Sequence, residues 1–179
     1  MHSDSLQTFA RRHGLLEPDV RSDADGTHVF VYSADMCRRY AYSLTWSDDE
    51  QHLLWIMLNP GTGETEGRRR NTFERCKAWT RSMGFGGMLF GNVSAYRSRS
   101  AVELLQQAQP PDPLNDEALE HLSRLAGKTV VAWGNHGARA VHVASLRQHL
   151  LAPQCFGLTK VGQPRHPLYV PATTPLIPW

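Results

Sequence analysis

Four short apolar runs constrain this chain more than any other feature in it. They occupy residues 53–58, 88–93, 129–134 and 155–158, and each breaks off on Asn, Gly or another turn-forming residue. Uninterrupted apolar runs of about four to eight residues, bounded by such breakers, read as strands buried on both faces. Stretches with apolar residues at helical spacing lie between them, which predicts helices over 73–83, 101–108, 115–126 and 136–151. Residues 28–32 and 39–46 are rich in aromatic and β-branched side chains and flank the turn Ser33-Ala34-Asp35. They predict an antiparallel hairpin. Strands alternating with helices predict an α/β protein. The expected form is a three-layer α/β/α sandwich, whose mainly parallel central sheet has about four strands plus the N-terminal antiparallel hairpin. Residues 1–27 read as a loosely attached lead-in with at most a short helix at 6–13, and 28–179 as a single α/β domain.

Composition narrows the function classes. At 179 residues the chain suits one domain, and 41% hydrophobic with 20% charged residues is ordinary for a globular protein. No apolar segment approaches the roughly 20 residues of a membrane helix, so no membrane partner is expected. The first residues lack the basic and apolar regions of a signal peptide, which makes the cytoplasm the expected compartment and a monomer the expected state. Cys37, Cys76 and Cys155 have no CxxC spacing and read as reduced thiols. His136, His142 and His149 lack the i, i+4 pairing of a zinc helix. No phosphate-cradling GxxxxGK[ST] and no GxGxxG follows a strand, so no metal and no cofactor is expected.

In a parallel sheet the carboxyl ends of the strands share one edge, and ligands bind there. That edge would gather Asn59, Thr62, Glu64 and Arg68, Arg69 and Arg70 from the first loop, and Asn92, Tyr96, Arg97 and Arg99 from the second. The third loop brings Asn135, His136 and Arg139, and the fourth Lys160, Arg165, His166 and Tyr169. Every loop carries Lys or Arg although the net charge is only +2. Cations focused at one edge point to an anionic ligand, such as phosphate or a nucleic-acid backbone.

Met57-Leu58-Asn59-Pro60-Gly61, Asn92-Val93-x-Ala95-Tyr96-Arg97, Val130-Val131-Ala132-Trp133-Gly134 and Gly157-Leu158-Thr159-Lys160 through Arg165-His166-Pro167-Leu168-Tyr169 resemble a bacterial and phage family, domain of unknown function family 1643. The resemblance runs from about residue 40 to 179. The same order of elements resembles the uracil-DNA glycosylase superfamily. Its first motif in some branches is Gly-x-Asn-Pro-Gly, matched by 57–61 except at Met57. Its late His-Pro-Ser loop resembles Arg165-His166-Pro167-Leu168, with Leu168 in place of Ser. Asn92 resembles the Asn that reads a pyrimidine edge in some branches.

What this resemblance implies is hydrolysis of an N-glycosidic bond in DNA, another nucleic acid or a nucleotide. Such cleavage leaves positive charge on the sugar and negative charge on the departing base. Asn59 would orient the water, and His166 would donate to the base. Pro60, Gly61, Thr62, Asn92 and Tyr169 would contact substrate, and Phe85 or Phe90 would stack on the base. Arg68, Arg69, Arg70, Arg97, Arg99, Lys160 and Arg165 would hold phosphates, with Leu168 or Tyr169 as a wedge. Two other readings are a non-catalytic nucleic-acid or nucleotide-binding module on the same fold and a small-molecule hydrolase.

Overall fold

The structure is a computed structural model that describes residues 2–63, 71–107, 110–140 and 143–179. Five α-helices lie among these residues: α1 (His2–Arg12), α2 (Asn71–Ser82), α3 (Ala101–Gln106), α4 (Pro113–Leu125) and the single turn α5 (Val143–Leu146). Eight strands accompany them. They are β1 (Asp19–Asp23), β2 (Gly26–Tyr32), β3 (Arg39–Thr45), β4 (His52–Met57), β5 (Gly87–Asn92), β6 (Lys128–Val131), β7 (Gln154–Cys155) and β8 (Ile177–Pro178). All eight join one sheet in the order β1-β2-β3-β5-β4-β6-β7-β8.

This overturns the expected mainly parallel sheet of about four strands with a hairpin at its side. The β1/β2, β2/β3, β3/β5 and β7/β8 pairings are antiparallel, and only β4/β5, β4/β6 and β6/β7 are parallel. The sheet is mixed, and its N-terminal half is antiparallel. Two causes escaped the apolar pattern. The β1 sequence Asp-Val-Arg-Ser-Asp is an exposed, charged edge strand held by backbone pairing to β2. The hairpin docks through β3 onto β5, which makes it continuous with the central strands.

Strand periodicity divides the core between two faces. Leu54, Ile56, Leu89 and Val131 pack under α1 and α4, with Leu6, Phe9 and Ala10 of α1 fully or almost fully buried among them. The lead-in segment 1–27 thus carries α1 and β1. Leu53, Trp55, Met88 and Val130 point to the other face, where α2 supplies Phe73, Cys76 and Trp79. Buried Trp55 donates its Nε1–H to Thr80 Oγ1 at 2.9 Å, and that hydroxyl donates onward to the Cys76 carbonyl at 2.8 Å. Thr80→Val leaves the indole N–H buried without an acceptor. It is expected to destabilise the fold by about 1–3 kcal/mol, seen as a Tm lowered by several degrees in thermal unfolding.

The helix expected over 136–151 is instead three short pieces: a 3-10 turn at Asn135–Arg139, α5, and a second 3-10 turn at Arg147–His149. Gly134 at φ +75° and Gly137 pressed against the Trp133 ring set up this tight path directly after β6. Among the described residues no helix is long and apolar enough to cross a membrane.

Candidate functional site

The three parallel pairings place the carboxyl ends of β4, β5 and β6 side by side, with Met57 opposite Asn92 and Ile56 opposite Val131. A cleft of about 1130 Å³ opens beyond them, on the face that α2 covers. Small-molecule pockets run from about 300 to 1,000 Å³, so this one has room for more than a lone base. Its floor is aromatic. Tyr42 of β3, Phe73 of α2 and Phe90 of β5 stand with ring centroids 5.6–6.0 Å apart.

Asn59 continues the Trp55–Met57 alternation past the end of β4 and reaches the cleft wall. Its Nδ2 donates to Ser98 Oγ at 2.8 Å, to the Pro60 carbonyl at 3.1 Å and to the Ser98 carbonyl at 3.3 Å. Two carbonyl oxygens can only face an N–H donor, so the amide orientation is fixed. The Oδ1 acceptor is therefore turned away from these partners, with no hydrogen bond to it among the described residues. Ser98 is itself held, because its hydroxyl donates to the Ser100 carbonyl at 2.9 Å.

Asn92 follows Phe90 on the same face of β5 and lines the cleft at 3% exposure. Its backbone carbonyl accepts from Asn115 Nδ2 of α4 at 3.0 Å, and the same amide reaches the Val93 carbonyl at 3.3 Å. The Asn92 carboxamide has no hydrogen bond among the described residues. An amide that borders the cleft and is not engaged by another described residue is suited to the edge of a polar ligand.

His166 stands at the start of the 3-10 turn Pro167–Tyr169, where its Nδ1 accepts from Leu168 N–H at 3.4 Å. That bond leaves the proton on Nε2. Burial, helped by the neighbouring His136, pushes the imidazole pKa down to about 4. His166 is consequently a neutral donor near pH 7. Gly134 packs against it so closely that an added Cβ would lie 3.1 Å from His166 Cβ, at a φ of +75° that L side chains rarely adopt. Gly134→Ala is expected to displace the imidazole, measured as a shift of the His166 ring resonances in NMR spectra of the variant.

Among the described residues lining the cleft, Arg39, Arg99, Lys160 and Arg165 are basic, and none is Asp or Glu. Gly61, Thr62 and exposed Tyr169 also line it, whereas Pro60 is buried behind the loop and offers its carbonyl to Asn59 and to Ser98 N–H. Arg97 is not at the cleft, since its guanidinium bonds the Met36 carbonyl at 2.9 Å and covers the Tyr32 ring. Phe85 is corrected as well. It precedes β5 at the far end of the sheet, where its carbonyl accepts from Trp46 Nε1 at 3.0 Å, too remote to stack on a ligand in the cleft. Glu64, Arg68, Arg69 and Arg70 lie outside the described residues.

Sequence reasoning missed Arg39, Tyr42 and Phe73. Arg39 is 8% exposed and sits 5.4 Å from the Tyr42 ring centroid. The only signal was a charge opening an otherwise aromatic strand. Ser98 lacked any motif, and its role as the clamp on Asn59 is purely tertiary.

Searches of the curated proteins and of the solved structures found no match to this chain. A family model described as protein of unknown function (DUF1643) matches residues 39–168, the span from Arg39 at the cleft through Asn59 and Asn92 to His166 and Leu168. The chain belongs to that family, DUF1643.

Proposed function

We propose that the protein hydrolyses an N-glycosidic bond, excising a base from nucleic acid, with DNA the favoured polymer. The observation that carries this reading is the Asn92 carboxamide, buried on the cleft wall without a hydrogen-bond partner among the described residues. A base edge presents paired donors and acceptors that an amide matches, and the aromatic floor of Phe90, Tyr42 and Phe73 offers an apolar neighbour for its ring. Asn59 Oδ1 accepts a hydrogen bond from the attacking water and orients it, and the proton that the water loses ends through solvent on the released base. His166, neutral and protonated on Nε2, donates to the departing base as negative charge develops on it. The resemblance of 57–61 and 165–168 to uracil-DNA glycosylase motifs supports the same assignment.

The test is an excision assay. Oligonucleotides carrying uracil, mismatched or hypermodified bases, together with free nucleotides, are incubated with the protein and analysed for abasic sites and released base. Release from at least one substrate, abolished in Asn92→Ala, is the expected result. No release across the panel overturns the reading.

The basic rim gives an independent expectation. Lys160→Ala and Arg165→Ala should each weaken oligonucleotide binding and flatten the plot of log affinity against log salt by about one unit, measured by fluorescence anisotropy.

A further inference from the structure

The basic residues described on the cleft differ in depth. Arg99 and Lys160 are exposed and Arg165 is half-buried, all on loops at the rim, whereas Arg39 is buried at 8% exposure. Arg39 opens β3, which runs antiparallel to β5. The start of β3 therefore lies beside the end of β5, and Arg39 N–H donates to the Ala95 carbonyl, just past Asn92, at 2.9 Å. Arg39 and Asn92 thus share one edge of the sheet, behind which stand the rings of Tyr42 and Phe90.

The guanidinium lies on a fixed platform. Its carbon is 5.4 Å from the Tyr42 ring centroid and 6.0 Å from that of Phe30, two rings that stack 4.5 Å apart and within 2° of parallel. The Tyr42 hydroxyl is hydrogen-bonded to His28 Nδ1 at 2.8 Å, and His28 Nε2 faces Asp23 Oδ1 at 3.0 Å, so the platform is braced from β1 and β2. A planar guanidinium presents a fork of donors that matches the two oxygens of a carboxylate, and a charge pair drawn out of bulk water interacts more strongly than one at a rim. Among the described residues no Asp or Glu lines the cleft. Backbone phosphates stay in solvent, where the exposed rim cations suit them. A cation on the floor, beside the amide assigned to the base edge, is placed for a group that the base itself carries.

We propose that Arg39 is a specificity residue that binds a carboxylate at the end of an arm attached to the base. This rests on the base-excision reading above and narrows its substrate class to enlarged, acid-bearing bases. The cleft of about 1130 Å³ has room for such an arm beyond the ring. With its polar edge on Asn92 and its ring on Phe90 and Tyr42, the base directs the arm across the junction of β5 and β3 to the guanidinium. A neutral analogue of the same shape forgoes the charge-assisted pair, and a site built around one polar contact discriminates strongly against ligands that lack it.

The probes are paired oligonucleotides, identical except that a short arm on pyrimidine C5 ends in a carboxylate or in the matching carboxamide. A second pair carries the same arms on C7 of a 7-deazapurine. Affinity is read by fluorescence anisotropy and base release by chromatography. The native protein is expected to bind the carboxylate member of at least one pair about tenfold more tightly than the carboxamide, a comparison that needs no variant. Arg39→Gln should bring that ratio close to one, and Arg39→Lys, which keeps the charge without the fork, should keep only part of it. Lys160→Ala should weaken both members alike and leave the ratio intact. Circular dichroism verifies folding. No preference by the native protein in either pair overturns the subsite, as does a ratio undiminished in the folded Arg39 variants; equal weakening of both members then assigns Arg39 to a backbone phosphate. An Arg39-dependent preference without base release from any oligonucleotide supports the subsite and overturns excision. Release of neutral bases at least as fast as acid-bearing ones supports excision and overturns the subsite.

Discussion

Asn59→Ala is expected to reduce base release by on the order of 10²–10³ while leaving oligonucleotide binding nearly unchanged. The reason lies in how the side chain is held. Ser98 and the Pro60 carbonyl engage Nδ2 and thereby fix Oδ1, so the acceptor needs no reorganisation when the water arrives. Alanine removes that acceptor but touches no phosphate contact, so the deficit should appear in single-turnover rate and not in Kd. Asn59→Asp sharpens the test. A carboxylate in the same pose would set an oxygen without a proton against the carbonyls of Pro60 and Ser98, both now within 3.3 Å of a donor. It must rotate away, so the aspartate variant is expected to be impaired as well. A single-turnover rate in Asn59→Ala within a few fold of the native protein would remove Asn59 from the chemistry.

His166 gives the second large effect, through pH. Held down to about 4 by burial and by His136, the imidazole stays neutral through the neutral range. A neutral Nε2–H donor then predicts a rate with no His166 titration between about pH 5 and 8, failing only as pH drops toward 4. An acid working through an ordinary imidazolium would instead lose activity as pH rises through about 6.5. His166→Ala should cost on the order of 10²–10³ in rate, and an alkaline decline centred near 6.5 in the native protein would reject the neutral donor.

Stability follows the same titration. The unfolded chain takes up this proton near pH 6.5 and the folded chain only near 4. Between those values the unfolded state binds more protons, so stability falls as pH drops from about 6.5 to about 4 and is flat with respect to this group outside that window. The full difference is about 3 kcal/mol at roughly 1.4 kcal/mol per pKa unit. His166→Asn should remove that portion of the slope in denaturant unfolding measured across the window. An NMR titration midpoint for His166 near 6.5 would contradict both expectations.

Much of the frame was legible in the chain because it depends on local pattern. The apolar runs at 53–58, 88–93 and 129–134 become β4, β5 and β6, buried along nearly all of their length, since a run without polar alternation has nowhere else to go. The ends of the first two runs carry Asn59 and Asn92, which line the cleft together with His166 from the loop after the fourth run. What local pattern could not carry was the rest of the sheet. Charged β1 and two-residue β7 and β8 have no apolar periodicity, and they exist because neighbouring strands supply their backbone hydrogen bonds.

The site divides in the same way. Sequence alone determined that carboxamides and an imidazole stand at the ends of buried strands and that cations gather in the following loops. Backbone chemistry at Asn-Pro-Gly and His-Pro makes those positions turns. Only the tertiary structure decided which atom of each is available. Ser98 fixes the face that Asn59 presents, Asn115 holds the backbone of Asn92, and Gly134 allows His166 to approach β6. It also removed Phe85 and Arg97 from the site and brought in Arg39. The separation is physical: a residue's type is written in the chain, whereas its burial, its partners and its protonation depend on segments dozens of residues away.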